Sequence, residues 1–303
     1  MALTLLQLVQ QASGEMGLLV PQNVAANTSA DVTQMLYLSN AVGNELARQY
    51  TWNALNREYR FSTTVATSSG VSVANNNTIT GLDPAVVAQL NSDWMITGQG
   101  INQDTYVVTA SGTQVTLSQT AKSSGTFTFT FGQTKYDMPA DYDRQIDRTH
   151  YDKSKRWEML GPETPQQWQH LKSSYIATGP RIRYRLMGGQ FQIWPILGTS
   201  EYLGFEYIST GWVDSATGTP QASFLADTDT SVFPDRLMVL GLKRKYFEIK
   251  GFDSTAFERD YQEQLNIAKA NDSGSQTLQM SPQNASVLIG FENIVDSGYG
   301  NIM

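Results

Sequence analysis

Apolar positions near the start of the chain recur at helical spacing. Leu5, Leu6, Leu8, Val9 and Ala12 lead to Gly14 and Gly17, which predicts a short helix with a glycine-rich end. In "NTSADVTQMLYLSNAVGNELARQYTW", residues Val32, Met35, Leu36, Val42, Leu46 and Tyr50 fall within about 120° of one another around a helix. Thr28 with Asp31 offers a capping box, so a second amphipathic helix is expected to end near Tyr50. Beyond Phe61 the period drops to two. "GTFTFTFG" alternates Phe127, Phe129 and Phe131 with threonines, and "QDTYVVTASGTQVTLS" reads as strand, Ser111-Gly112 turn, strand. One short helix at most is expected there, at "DPAVVAQL".

Strand character persists from Tyr136 to Val213. In "RIRYRLMGGQFQIWP", Ile182, Tyr184 and Leu186 alternate with arginines, Gly188-Gly189 supplies a two-residue turn, and Phe191 and Ile193 answer on the return. Thr164 as cap and Pro165 at the first helical position predict one short helix between. The helical period returns in "FPDRLMVLGLKRKYFEIKG", bounded by Pro234 and Gly251. It is apolar nearly all round at first and basic later, at Lys243, Arg244, Lys245 and Lys250. A half-buried helix whose charges suit its C-terminal dipole is expected. A last helix carries Phe257, Tyr261, Leu265 and Ala268 on one stripe.

These elements predict an α+β fold in which N- and C-terminal helices, from residues 1–63 and 214–271, form a helical bundle with β-sheet segments inserted. Residues 64–132 are expected to form a small all-β module, 133–213 a β-rich segment with its hairpin at 180–195, and 272–303 an extended C-terminal arm.

Charge sharpens those boundaries. Residues 64–132 hold only Asp83, Asp93, Asp104 and Lys122 as charges, which marks them as a unit. The last 32 residues, from Asp272, hold no Lys or Arg and only three acids, with one apolar run at "ASVLIGFENIV". Such a segment needs a partner for its backbone, either a sheet edge of another chain or its own body, which makes Val287, Leu288, Ile289 and Phe291 candidate interface residues. The net charge of −7 disfavours general nucleic-acid binding. There is no cysteine, so disulfides, thiolate nucleophiles and sulfur-ligated metals are excluded. No run approaches the length of a membrane span and the start lacks a basic leader, so a protein that stays in the cytoplasm where it is made is expected.

Candidate chemistry is sparse. Gly98 and Gly100 in "DWMITGQGINQDTYV" have phosphate-loop spacing, but position 103 is Gln and a β-branched strand follows, so they read as turn residues. His150 and His170 lack the spacing of metal ligands, and no GxSxG marks a nucleophile. Asp137, Asp141, Asp143, Asp147 and Asp152 lie among Arg144, Arg148 and Lys153, which reads as a mixed-sign interface or solvated loop rather than a cation site or a glycosidase carboxylate pair. Arg181, Arg183 and Arg185 share one strand face. They could touch a phosphate backbone, but acids on a neighbouring strand or subunit are the preferred partners. No enzymatic activity, metal or cofactor is expected.

"LLQLVQQASGEMGLLVP", "NELARQYTWNALNREYRF", "YDMPADYDR", "RYRLMGGQFQIWP" and the final pair "LKRKYFEIKGFDS" and "FERDYQEQLNIAKAND", in that order, resemble the head-to-tail adaptor proteins of short-tailed bacteriophages. The stretch 81–132 resembles a small β module of phage virion proteins, inserted here. The resemblance implies a helical-bundle core without enzymatic activity, in a dodecameric ring beneath the portal protein. That ring extends the DNA channel at the head-tail junction of the virion and docks the tail nozzle protein and sometimes tail fibres. It implies assembly in the host cytoplasm and no membrane. The alternative is a carbohydrate- or receptor-binding tail protein whose Trp94, Trp157, Trp168, Trp194 and Trp212 stack on sugar rings.

Overall fold

A computed structural model describes residues 2–173 and 181–273. Helices α1 (Leu5–Glu15) and α2 (Ala30–Gln49) lead through a tight turn at Asn53–Leu55 into β1 (Asn56–Ser62). Then come β2 (Val65–Ser72), β3 (Thr78–Ile79), the single-turn α3 (Pro84–Val87), β4 (Trp94–Thr97), β5 (Val107–Ser111), β6 (Gln114–Leu117) and β7 (Gly125–Gln133). The middle holds β8 (Lys135–Asp137), β9 (Tyr142–Gln145), β10 (Tyr151–Asp152), β11 (Trp157–Glu158) and α4 (Pro165–Ser173). After these, β12 (Arg183–Met187), β13 (Gln190–Trp194) and β14 (Tyr202–Ser209) precede the short β15 (Val213–Asp214), β16 (Pro220–Gln221) and β17 (Thr230–Ser231). Helices α5 (Asp235–Lys250) and α6 (Thr255–Ser273) finish the described chain. The fold is mixed α and β with several small antiparallel sheets.

The terminal helices share one apolar cluster, with Leu8 and Val9 of α1, Val42 and Leu46 of α2, Leu240 of α5 and Leu265 of α6 among its buried members. Thr4 starts α1 with a capping box: its side chain accepts from the Gln7 amide (3.4 Å) and its own amide donates to Gln7 Oε1 (3.0 Å). The box expected from Thr28 and Asp31 does not form. α2 starts after Ser29, whose side chain makes no cap bond. Asn27 organises this turn instead, its side chain accepting from the Ser29 amide (2.8 Å) and its carbonyl from the Thr33 hydroxyl (3.1 Å). The Trp212 ring, fully buried, lies against the backbone of α2. A Cβ at Gly43 would sit 2.1 Å from that ring, so a side chain here would push the two apart.

Residues 65–133 fold around a separate cluster that includes Val107, Val115, Phe129 and Phe131. Two three-stranded sheets, β2-β7-β4 and β3-β6-β5, are joined by a Val71–Thr80 bridge and by a Met95–Tyr106 bridge. The two bridges close the strands into a six-stranded antiparallel barrel. The β5–β6 turn falls at Gly112-Thr113, one residue later than expected, because Ser111 already pairs with Gln114.

The remaining strands form the β1-β14-β10-β11 sheet, with β9 also on β14, and the β12-β13-β8 sheet. They pack face to face around Tyr184, Phe191, Leu203 and Phe205. The Gly188-Gly189 turn joins β12 to β13 with φ of 63° and 76°, as its sequence predicts. α6 continues through Asp272, which the sequence assigns to an extended arm. Asp272 is held at the start of β1, where the Asn53 amide donates to Asp272 Oδ2 (2.9 Å) and Asn53 Nδ2 to the Asp272 carbonyl (2.5 Å).

Candidate functional site

The arginine row is split by the fold. Arg183 and Arg185 lie on β12, but Arg181 precedes the strand, so the three do not share one strand face. Arg183 meets an acid as expected, Glu163 at 2.5 Å, although the acid comes from the loop before α4 rather than from a neighbouring strand. Arg181 is exposed and Arg185 half-buried, and neither forms an ion pair among the described residues. Val287, Leu288, Ile289 and Phe291 lie outside the described residues.

His150 is a packing residue. It is 1% exposed, stacks on Tyr184 with ring centroids 4.2 Å apart, and bonds the Tyr184 hydroxyl through Nδ1 (3.0 Å). Burial disfavours its charged form and lowers its pKa to about 4. Within the acidic run, Asp141 accepts from the hydroxyls of Tyr207 (2.8 Å) and Ser209 (2.6 Å), and buried Asp152 accepts from the Ser154 amide (2.9 Å). Those two carboxylates pin loops to β14 and cap a turn. Among the described residues no group of three or more His, Asp or Glu is placed to hold a metal ion. Trp94, Trp168, Trp194 and Trp212 are buried and Trp157 is exposed. Gly98 and Gly100 occupy a turn closed by the Ile101 amide on the Gly98 carbonyl (3.2 Å), with φ of 76° at Gly100.

The basic half of α5 divides: Lys250 is exposed in the last turn, as a half-buried helix with cations at its C-terminal dipole implies, whereas Lys243 and Arg244 are 7% and 8% exposed and turn toward neighbouring helices. Lys243 Nζ reaches Glu15 of α1 at 2.8 Å, and Arg244 reaches Glu45 of α2 at 3.0 Å and Glu258 of α6 at 3.2 Å. The Arg244 guanidinium also lies over the Tyr261 ring at 4.4 Å. The hydrogen bond from Lys243 is the main reason that Glu15 has its pKa lowered to about 2. Acids from positions 15, 45 and 258 thus fix how the helices meet around α5.

Two concavities lie away from the terminal helices. An open groove of about 600 Å³ is lined by Glu58, Arg148, Lys153, Arg156, Phe205 and Glu206. Its mixed charge suits a protein partner better than a uniformly anionic one. A cavity of about 210 Å³ lies where the barrel meets α4 and the hairpin, with Tyr106, Trp168 and Met187 in its wall. There Lys172 pairs with Asp104 (3.1 Å) and Gln103 Nε2 donates to the Leu171 carbonyl (3.2 Å), which ties the barrel to α4. No described helix is long and apolar enough to cross a membrane.

The chain belongs to the SU10 adaptor protein family, a family of phage adaptors, whose model matches residues 101–285. It is thus a phage adaptor and a component of the virion. The matched span opens inside the barrel and leaves α1 and α2 outside it. No curated protein matches the chain.

Proposed function

We propose that this chain is the head-to-tail adaptor of a short-tailed phage. It assembles as a ring under the portal protein, extends the DNA channel and docks the tail nozzle or fibres. The family match over residues 101–285 carries this reading. Its mechanism is interface complementarity rather than catalysis, and the net charge of −7 suits a channel through which DNA must slide without being gripped. The helices are the working part in this reading, and the low-charge barrel decorates the outside of the ring. Burial of four tryptophans that a sugar-stacking surface would expose weighs against the carbohydrate-binding alternative. Negative-stain microscopy of the purified chain mixed with the cognate portal tests the proposal. A ring of density added to one face of the portal is expected, and an unchanged portal beside free chain overturns it.

A further inference from the structure

Among the longer strands, β1 alone carries neither a ladder nor a bridge on its second edge among the described residues. β2 is bridged to β3 at Val71–Thr80 and β4 to β5 at Met95–Tyr106. β12 is bridged at Arg183 to Leu160, and its Tyr184 carbonyl accepts from the Glu163 amide (3.0 Å). β1 pairs with β14 along all seven residues, from Asn56–Ile208 to Ser62–Tyr202, while β9 and β10 take the far side of β14. Among the described residues no strand lies on the second edge of β1. An edge of this length, whose outward backbone groups have no strand partner among the described residues, is a template for strand addition.

We propose that residues 285–295 of the same chain add to this edge as an outer strand. The anchor of that segment argues for it first. α6 delivers the chain to the beginning of β1, where Asp272 is bonded to Asn53, three residues before the strand starts. Residues 274–284 extended reach at most about 40 Å, whereas β1 is roughly 23 Å long at the rise of a strand, so the segment reaches the edge in either direction. Tethering beside its target gives it an effective concentration on the order of millimolar there, which favours the chain's own segment over a second copy.

Side-chain parity argues for it next. On the core face of β1, Tyr59 and Phe61 are only half-buried, although they pack against the cluster of Phe191 and Phe205. Val287, Ile289 and Phe291 share one parity and would extend that apolar face over the two open rings. The other face of β1 carries the exposed Glu58 and Arg60, which would meet the opposite parity, Leu288, Gly290 and Glu292. The proposal does not depend on the adaptor reading, since it concerns the free chain.

The absence of native cysteine makes disulfide trapping clean. Arg60→Cys is combined in turn with Leu288→Cys, Gly290→Cys and Glu292→Cys, and with Val287→Cys and Ile289→Cys for the other parity. Peptide mapping after mild oxidation is expected to find an intrachain disulfide in at least one variant of the first set and in neither of the second. A disulfide only between chains, only in the second set, or in none overturns the proposal. A second measurement needs no substitution. Hydrogen exchange across β1 is expected to be about tenfold slower in the full chain than in a chain stopped after Ser273, and equal exchange contradicts the pairing.

Discussion

Around α5 the helices take Lys243 and Arg244 out of water and hold them with Glu15, Glu45 and Glu258, whereas the barrel of residues 65–133 buries no charged side chain among its described members. Both regions must fix the relative position of elements that apolar contact alone leaves free to slide. In the helical region directional ion pairs set which turn of α5 faces which turn of α1, α2 and α6. In the barrel the ladder itself does so, because strands closed by bridges at both ends cannot shift register without breaking a neighbour's pairing. The first solution is expected to respond to pH and salt, and the second to be insensitive to both.

Three perturbations separate the two solutions, in falling order of effect. Phe129→Ala empties the centre of the barrel, where Phe129 is fully buried, and is expected to cost about 3–5 kcal/mol. Hydrogen exchange should show the loss in residues 65–133 and leave the helices protected; equal loss in both would mean that the barrel is not a separate cooperative unit. Arg244→Ala is expected to cost about 2 kcal/mol, below the usual toll for breaking a buried pair, because Glu45 and Glu258 are partly exposed and can rehydrate. Denaturant titration followed at the helices reads it, and a cost below about 0.5 kcal/mol would show the pairs to be incidental.

Acid gives a smaller effect, with a defined sign. The pKa of Glu15 is lowered in the fold to about 2 from an ordinary 4.5, so its contribution is complete above the ordinary value and is lost as pH falls toward 2. Helical exchange should accelerate across that window, and Glu15→Gln should remove this part of the acceleration. Unaltered acid sensitivity in the variant would assign the effect to other groups.

What the sequence discloses follows the range of the interaction. The stripe of α2, the threonine-phenylalanine alternation of β7 and the diglycine hairpin are local patterns, and each yields its element within a residue or so. The environment of Arg244 is set by carboxylates 199 and 14 positions away, which no periodicity connects, so in the sequence its basic run reads only as charge suited to a helix C-terminal dipole. Barrel closure rests on isolated bridges between segments that read only as ordinary strands. The candidate arginine row was partly legible: alternation predicts that an acid meets Arg183, but only the fold brings Glu163 to it and leaves Arg181 outside the strand.

The comparison bears directly on assembly, since the account assigns portal contact to the helical region and an outward position to the barrel. Hydrogen exchange of the chain, free and bound to its portal, tests that assignment in one measurement. New protection is predicted within residues 1–63 and 214–271, with exchange across 65–133 unchanged. Protection confined to the barrel, or no change anywhere on mixing, would contradict the account.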